Sequence, residues 1–284
     1  MGKPASAIPK VVDSRSRWLW PQLLSLDVVL IAVTWQMLFP WSYGIPPHPA
    51  VLFITAVVVW SVYIGDHLLD TRSEAPLSNR HFFVRRHRQP LLAVTGILLA
   101  MSVVSLRWIP LHIIGYGCLL AGVVVVYMAM VHFASRSVRR AWPKEIVIGG
   151  VFALGSSIAA WSAPHVPPSV FAAVLLFAML CTLNCARLEY EDWRRSPQSL
   201  PVPHRLSCWI GKQFVLLTSA CVAGTFVFAL TTHHFALSSA MALTSLLQAG
   251  AFRLTRPCSA DITRAVTDAS LLTPLLFLWI APWR

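Results

Sequence analysis

Ten residues of this chain, YIGDHLLDTR at 63–72, set two carboxylates four apart, Asp66 and Asp70. They close a long apolar run, PAVLFITAVVVWSV, from Pro49 to Val62. Side chains at i and i+4 of a helix project side by side. Two carboxylates held that close repel each other, so a positive partner is expected between or near them. The candidates are a divalent cation and an arginine. Mg²⁺ suits the first role, because it takes oxygen ligands and commonly joins one or two carboxylates to the phosphates of a substrate. The next stretch, TRSEAPLSNRHFFVRRHRQP, adds five arginines and two histidines. Arginine supplies bidentate phosphate contacts. Arg72 is equally suited to neutralising the two acids directly, and Arg85, Arg86 and Arg88 to marking the side of a membrane on which they lie.

A second polar group ends another apolar run, MLCTLNCARLEYEDWRRSPQSLP. Asn184 lies a turn or two inside it. Glu191 and Asp192 follow at i+7 and i+8, so either returns to roughly the same face. A solvated helix end, held by pairs such as Arg187 with Glu191, accounts for the same residues. Lys144 and Glu145 open a third run, AWPKEIVIGGVFALGSSIAAW, whose glycines and serines allow close helix packing or leave room for a ligand. In DITRAVTDASLLTP, Arg264 and Asp268 are spaced for a structural ion pair. Asp27 stands deeper in the first run.

The elements that must carry these residues follow from composition. The 284 residues are 56% hydrophobic and 12% charged, with mean hydropathy +0.64. Soluble domains carry about a quarter charged residues. The chain is expected to be all-α and polytopic in a membrane. A bilayer core takes about 20 apolar residues of helix. Nine segments qualify: Trp18–Phe39, Ala50–Leu69, Leu91–Trp108, Pro110–Val131, Glu145–Trp161, Ser169–Arg187, Trp209–Leu230, Phe235–Phe252 and Ile262–Ile280. The first is expected to be a span rather than a cleaved signal, since it is long and lacks a small-residue cleavage site.

The basic residues test that count. With nine spans, 21 of the 23 Lys and Arg fall on one side, leaving Arg107 and Arg284 opposite. That asymmetry puts residues 1–17 in the cytoplasm as a tail, followed by one nine-span domain, 18–284, with its C-terminus across the membrane. Large cytoplasmic loops are expected at about 70–90 and 188–208. The net charge of +12 is then topological and makes no case for nucleic acid. The six cysteines form no CxxC, and Cys181 and Cys185 read as small packing residues.

Nine spans with acidic motifs ending the second and sixth resemble the UbiA superfamily of intramembrane prenyltransferases. The family motif N-D-x-x-D-x-x-x-D keeps its last two acids here as Asp66 and Asp70, while Val62 and Tyr63 replace the Asn-Asp pair. WPK…IGG…FALG…AAW is similar to the family's fifth span. The sixth-span D-x-x-x-D is reduced to Glu191 or Asp192. The resemblance implies a nine-helix bundle around a central cavity. It also implies Mg²⁺ held by Asp66, Asp70, Glu191 and Asp192, with Asp66, Asp70 and Asp192 as the catalytic acids. Arg72, Lys144, Asn184 and Arg194 are the expected substrate contacts. The implied reaction moves the isoprenyl group of a prenyl diphosphate to a lipophilic acceptor, aromatic or otherwise, in a bacterial inner membrane. A UbiA-like terpene cyclase and a catalytically silent isoprenoid-binding membrane subunit are the alternatives. A transporter would want its acids at mid-membrane, whereas these crowd one side. A CDP-alcohol phosphotransferase would need a D-G-x-x-A-R context that Asp66–Asp70 lacks.

Overall fold

The computed structural model describes residues 20–70, 79–135, 142–198, 200, 202–255 and 257–280. Among them there is no β-strand. The helices are α1 Trp20–Leu23, α2 Leu26–Ser42, α3 Pro49–Asp70, α4 Asn79–Arg86, α5 Arg88–Ser105, α6 Leu111–Phe133 and α7 Lys144–Gly155. They continue with α8 Ile158–Trp161, α9 Pro168–Arg195, α10 Arg205–Thr232, α11 Phe235–Leu254, α12 Ala260–Ala269 and α13 Pro274–Ile280. Single 3₁₀ turns, Leu106–Trp108 and Ser270–Leu272, extend α5 and link α12 to α13. Among the described residues, six helical segments are long and apolar enough to cross a membrane: α3, α5 with its terminal turn, α6, α9, α10 and α11. The chain is an integral membrane protein on this ground.

Its surface inverts the soluble pattern. Ile97, Val103, Leu119, Val125 and Phe226 face outward, each more than half exposed. Polar side chains share the interior with the apolar core, among them Gln36, Thr244, Thr267 and Gln248. Lipid is the solvent that tolerates such an exterior, and it obliges buried polar groups to find partners inside. Thr273 does so twice, bonding Thr244 Oγ1 at 2.7 Å and donating to the Ala240 carbonyl at 2.9 Å. The core stacks Trp35 of α2 on Phe177 of α9, with ring centroids 4.1 Å apart. Trp35 Nε1 also donates to the Leu271 carbonyl at 2.9 Å, tying α2 to the turn before α13.

Three expected spans are interrupted. The chain breaks between α1 and α2 at Ser25, whose φ of 54° lies in the left-handed region. The fifth apolar run is α7 followed by the single turn α8, and the last is α12, a 3₁₀ turn and α13. The expected loop at 70–90 holds α4, and α5 begins by Arg88. Between the sixth and seventh runs the connection is shorter than expected, because α9 continues to Arg195 and α10 starts at Arg205. Buried Arg187 paired with Glu191 four residues on carries α9 past the expected end at Arg187. The tail 1–17 and Arg72 lie outside the described residues.

Close approaches place the helices that carry the acids. At Gly149 of α7, a Cβ would stand 2.6 Å from the Thr182 backbone nitrogen of α9. Only glycine allows α7 and α9 to pack that tightly. At Gly211 of α10, a Cβ would run into the Tyr190 ring.

Candidate functional site

The ends of α3 and α9, the start of α7 and the middle of α12 enclose a cavity of about 510 Å³. Asp66, His67 and Asp70 line it from α3, Lys144 and Glu145 from α7, and Arg264 and Asp268 from α12. From α9 come Cys181, Asn184, Cys185, Leu188, Glu189 and Asp192, one helical face repeating every three or four residues. Among the described lining residues, six carboxylates stand against one lysine and one arginine. That excess suits a cation.

Asp66 and Asp70 are therefore where the spacing put them, together at the end of a helix and on a cavity. One oxygen of each and one ring nitrogen of His67 lie within 4.8 Å of one another. His132, at the end of α6, completes the group. Its Nε2 lies 2.9 Å from Asp66 Oδ1, and its Nδ1 is 3.8 Å from Asp70 Oδ1. No spacing rule links residues 66 and 132, so the sequence reading missed this histidine. Two carboxylates a turn apart offer the oxygen donors that Mg²⁺ takes. Asp66, His67 and Asp70 together form a possible cation-binding cluster, in which the His67 ring nitrogen is a donor that softer divalent ions accept more readily than Mg²⁺ does.

The opposite wall separates Glu191 from Asp192. Asp192 faces the cavity, where its Oδ2 accepts a hydrogen bond from Arg264 Nη2 at 2.8 Å. Glu191 points away from it, 3% exposed, and pairs with Arg187. The Arg187 guanidinium sits 5.4 Å from the ring centres of Phe214 and Phe252, and also donates to the Gly211 carbonyl. A cation buried among rings needs an anion beside it, and Glu191 is that anion. The expectation of Glu191 as a metal ligand thus meets a carboxylate already engaged on another face.

The expected substrate contacts divide similarly. Asn184 is on the cavity wall, with its Nδ2 3.5 Å from Asp268 Oδ1. Lys144 is there too, and its ammonium lies 2.8 Å from Glu189 Oε1 and 4.0 Å from Glu145 Oε1. Arg194 is not among the lining residues; it is half-exposed, 3.6 Å from Glu191 Oε2. Arg264 is the arginine that reaches the cavity, and its guanidinium crosses to Asp192 of α9 rather than serving only its own helix. Asp27 is not on the wall, although its neighbours Val28 and Ile31 are. Glu189 also belongs to the site and was missed, since its signal was only a further acid on the same helix.

A second cavity, of about 460 Å³, lies between α3, α6 and α7. Its lining is almost wholly apolar, including Val51, Val59, Ile113, Val124 and Val151. The two cavities share Tyr63, Ile148 and Phe152. A charged chamber thus adjoins a greasy one at two aromatic rings. Comparison of the chain with protein-family models, curated proteins and solved structures returns no match.

Proposed function

We propose that this chain is a divergent UbiA-like transferase, which ionises a prenyl diphosphate and passes the isoprenyl group to a lipophilic acceptor within the membrane. The observation that carries the reading is the pair of adjoining chambers, one lined by acids from α3 and α9 and the other apolar. A prenyl diphosphate has the same two-part chemistry, a polyanion joined to a hydrocarbon.

On this reading nine spans cross a bacterial inner membrane: the six long helices, plus α1–α2, α7–α8 and α12–α13 as broken spans. The acid-lined end faces the cytoplasm, as the basic residues ask. Asp66 and Asp70 would hold Mg²⁺, which when bound neutralises diphosphate oxygens and stabilises charge on the departing group. His132 orients Asp66 by a hydrogen bond and stands close to Asp70. Lys144 and Arg264 supply positive charge on the wall for the diphosphate, and Asp192 holds Arg264 in place. The C–O bond breaks with its electron pair going to the diphosphate. The allylic carbon, left cationic, lies by Tyr63 and Phe152, whose ring faces attract a cation. Tyr63 stands at the motif position where the acid is lost, so the departure exchanges a ligand for a shield. The apolar chamber keeps water from that carbon.

One observation favours the silent reading. Arg264 already neutralises Asp192, as it would in a subunit that binds an isoprenoid without ionising it. Turnover separates the two readings. Protein in lipid nanodiscs, given Mg²⁺ and prenyl diphosphates of increasing length, is expected to release diphosphate in a reaction that EDTA stops. Saturable binding without release selects the silent subunit, and cyclic hydrocarbon products select the cyclase.

A further inference from the structure

Three arginines where α4 meets α5 belong to neither cavity. Arg85 and Arg86 end α4, Arg88 opens α5, and all three are exposed. Among the described residues none of the three forms an ion pair, whereas Arg187, Arg194 and Arg264 each meet a carboxylate. The corner that presents them is held from beneath. Val84 is fully buried and packs with Trp60 and Ile64 of α3 and Leu91 of α5. Between the two helices His87 turns back on α4, its Nδ1 3.0 Å from the Phe83 carbonyl oxygen. The His87 and Phe83 rings lie 4.4 Å apart between centroids. The guanidinium groups therefore spring from packed helix ends.

This corner borders the apolar exterior. Arg88, Leu92, Leu99 and Val103 fall on one face of α5, at i, i+4, i+11 and i+15. Leu92, Leu99 and Val103 are 47%, 42% and 67% exposed, so the stripe faces lipid. From Leu92 to Val103 the helix rises about 16 Å, close to half of a hydrocarbon core of about 30 Å. Arg88, one turn beyond Leu92, thus stands at the depth of the lipid phosphates.

We propose that Arg85, Arg86 and Arg88 form a binding site for the headgroup of an anionic phospholipid, whose chains lie along the α5 stripe. A guanidinium takes phosphate oxygens two at a time and gives up its hydration readily. A zwitterionic headgroup brings its own ammonium, which three arginines repel. A headgroup of net negative charge has no such penalty and gains from each arginine near the surface. A soluble anion has no chains to lay on Leu92, Leu99 and Val103. The inference needs only the membrane location and stands apart from the transferase reading.

Native mass spectrometry of the full chain in neutral detergent, titrated with phosphatidylglycerol or phosphatidylcholine, tests it. The first phosphatidylglycerol is expected to bind at least about fivefold more tightly, the worth of one basic residue at an anionic surface. Arg85→Gln/Arg86→Gln/Arg88→Gln removes the preference, with helical circular dichroism unchanged. Arg88→Gln alone removes part of it, which keeps the test open if the triple variant folds poorly. Arg205, Lys212 and Arg253 are exposed basic residues on α10 and α11. Changing those three to Gln takes away equal charge and leaves the preference intact. Excess inorganic diphosphate leaves the lipid bound. Equal affinity for the two lipids in the wild type overturns the proposal, as does a preference that survives the first triple variant. Equal loss in the second triple variant reduces the effect to net charge and also overturns it. Displacement by inorganic diphosphate assigns the corner to a soluble anion instead.

Discussion

His132 Nε2 of α6 lies 2.9 Å from Asp66 Oδ1 of α3, and the other ring nitrogen of the same histidine lies 3.8 Å from Asp70. One imidazole thus spans the two carboxylates that the chain sets a helical turn apart. It links the helix carrying the acids to α6, an apolar helix with no fully buried residue.

His132→Ala leaves both carboxylates in place and removes the hydrogen bond that orients Asp66. Groups that orient metal-binding side chains are worth about 10–100-fold in metal affinity. Titration with Mn²⁺ followed by electron paramagnetic resonance is expected to show weakening in that range, with the helical circular dichroism unchanged. Asp66→Asn weakens binding further, since it removes a ligand. Equal affinity in wild type and His132→Ala contradicts the positioning role.

Arg187 and Glu191 predict a different pattern. Arg187→Leu leaves Glu191 buried with its main counter-charge gone, the half-exposed Arg194 standing 3.6 Å away. Breaking a buried pair from one side costs about 3–5 kcal/mol, whereas replacing both partners with apolar residues is often neutral. Thermal unfolding in detergent should therefore show a large loss for Arg187→Leu and recovery in Arg187→Leu/Glu191→Leu. The double variant keeps its Mg²⁺ response, because Glu191 does not face the cavity. Loss of that response returns Glu191 to the ligand set.

Gly149→Val tests how α7 is positioned. A Cβ there meets Thr182 backbone atoms at 2.6 and 2.9 Å, and backbone cannot rotate away. Overpacking of this kind costs about 1–3 kcal/mol. A lower unfolding temperature is expected, with turnover falling as Lys144 and Glu145 move off the wall. Gly150→Ala, where nothing lies within 4 Å of the added carbon, is the matched control and should behave as wild type.

Arg264→Gln frees Asp192 and withdraws a positive charge from the cavity. On the transferase reading, diphosphate affinity drops about 10- to 150-fold, as expected for a charge-assisted contact worth about 1.5–3 kcal/mol. A gain in affinity or activity instead marks Arg264 as a plug. It would then support the silent reading of the native chain.

What could be read from residues alone was local. The i,i+4 acids needed only helix geometry, and the apolar runs needed only a bilayer thickness. The site's other members come from tertiary contact. His132 is 66 residues from Asp66, and Arg264 is 72 from Asp192. Nothing in spacing announces either pair. Glu191 and Asp192 could not be told apart on a helical wheel, because both return near Asn184. Burial of Arg187 decides between them by claiming Glu191. The breaks at Ser25 and after Gly155 were hidden by runs that stay apolar throughout, where hydrophobicity has no period to interrupt. Glu145 stands in the sequence as a charge at a helix end, and only the folded chain brings it to the same cavity wall as Glu189, with Lys144 reaching both.

The most direct test of the central claim is equilibrium binding of a non-ionisable prenyl thiodiphosphate to purified protein in nanodiscs, with and without Mg²⁺, in wild type and in Asp66→Asn/Asp70→Asn. The account predicts saturable binding that requires Mg²⁺ and weakens at least about 100-fold in the double variant. Binding that ignores both the ion and the two aspartates, or no binding by the wild type, contradicts it.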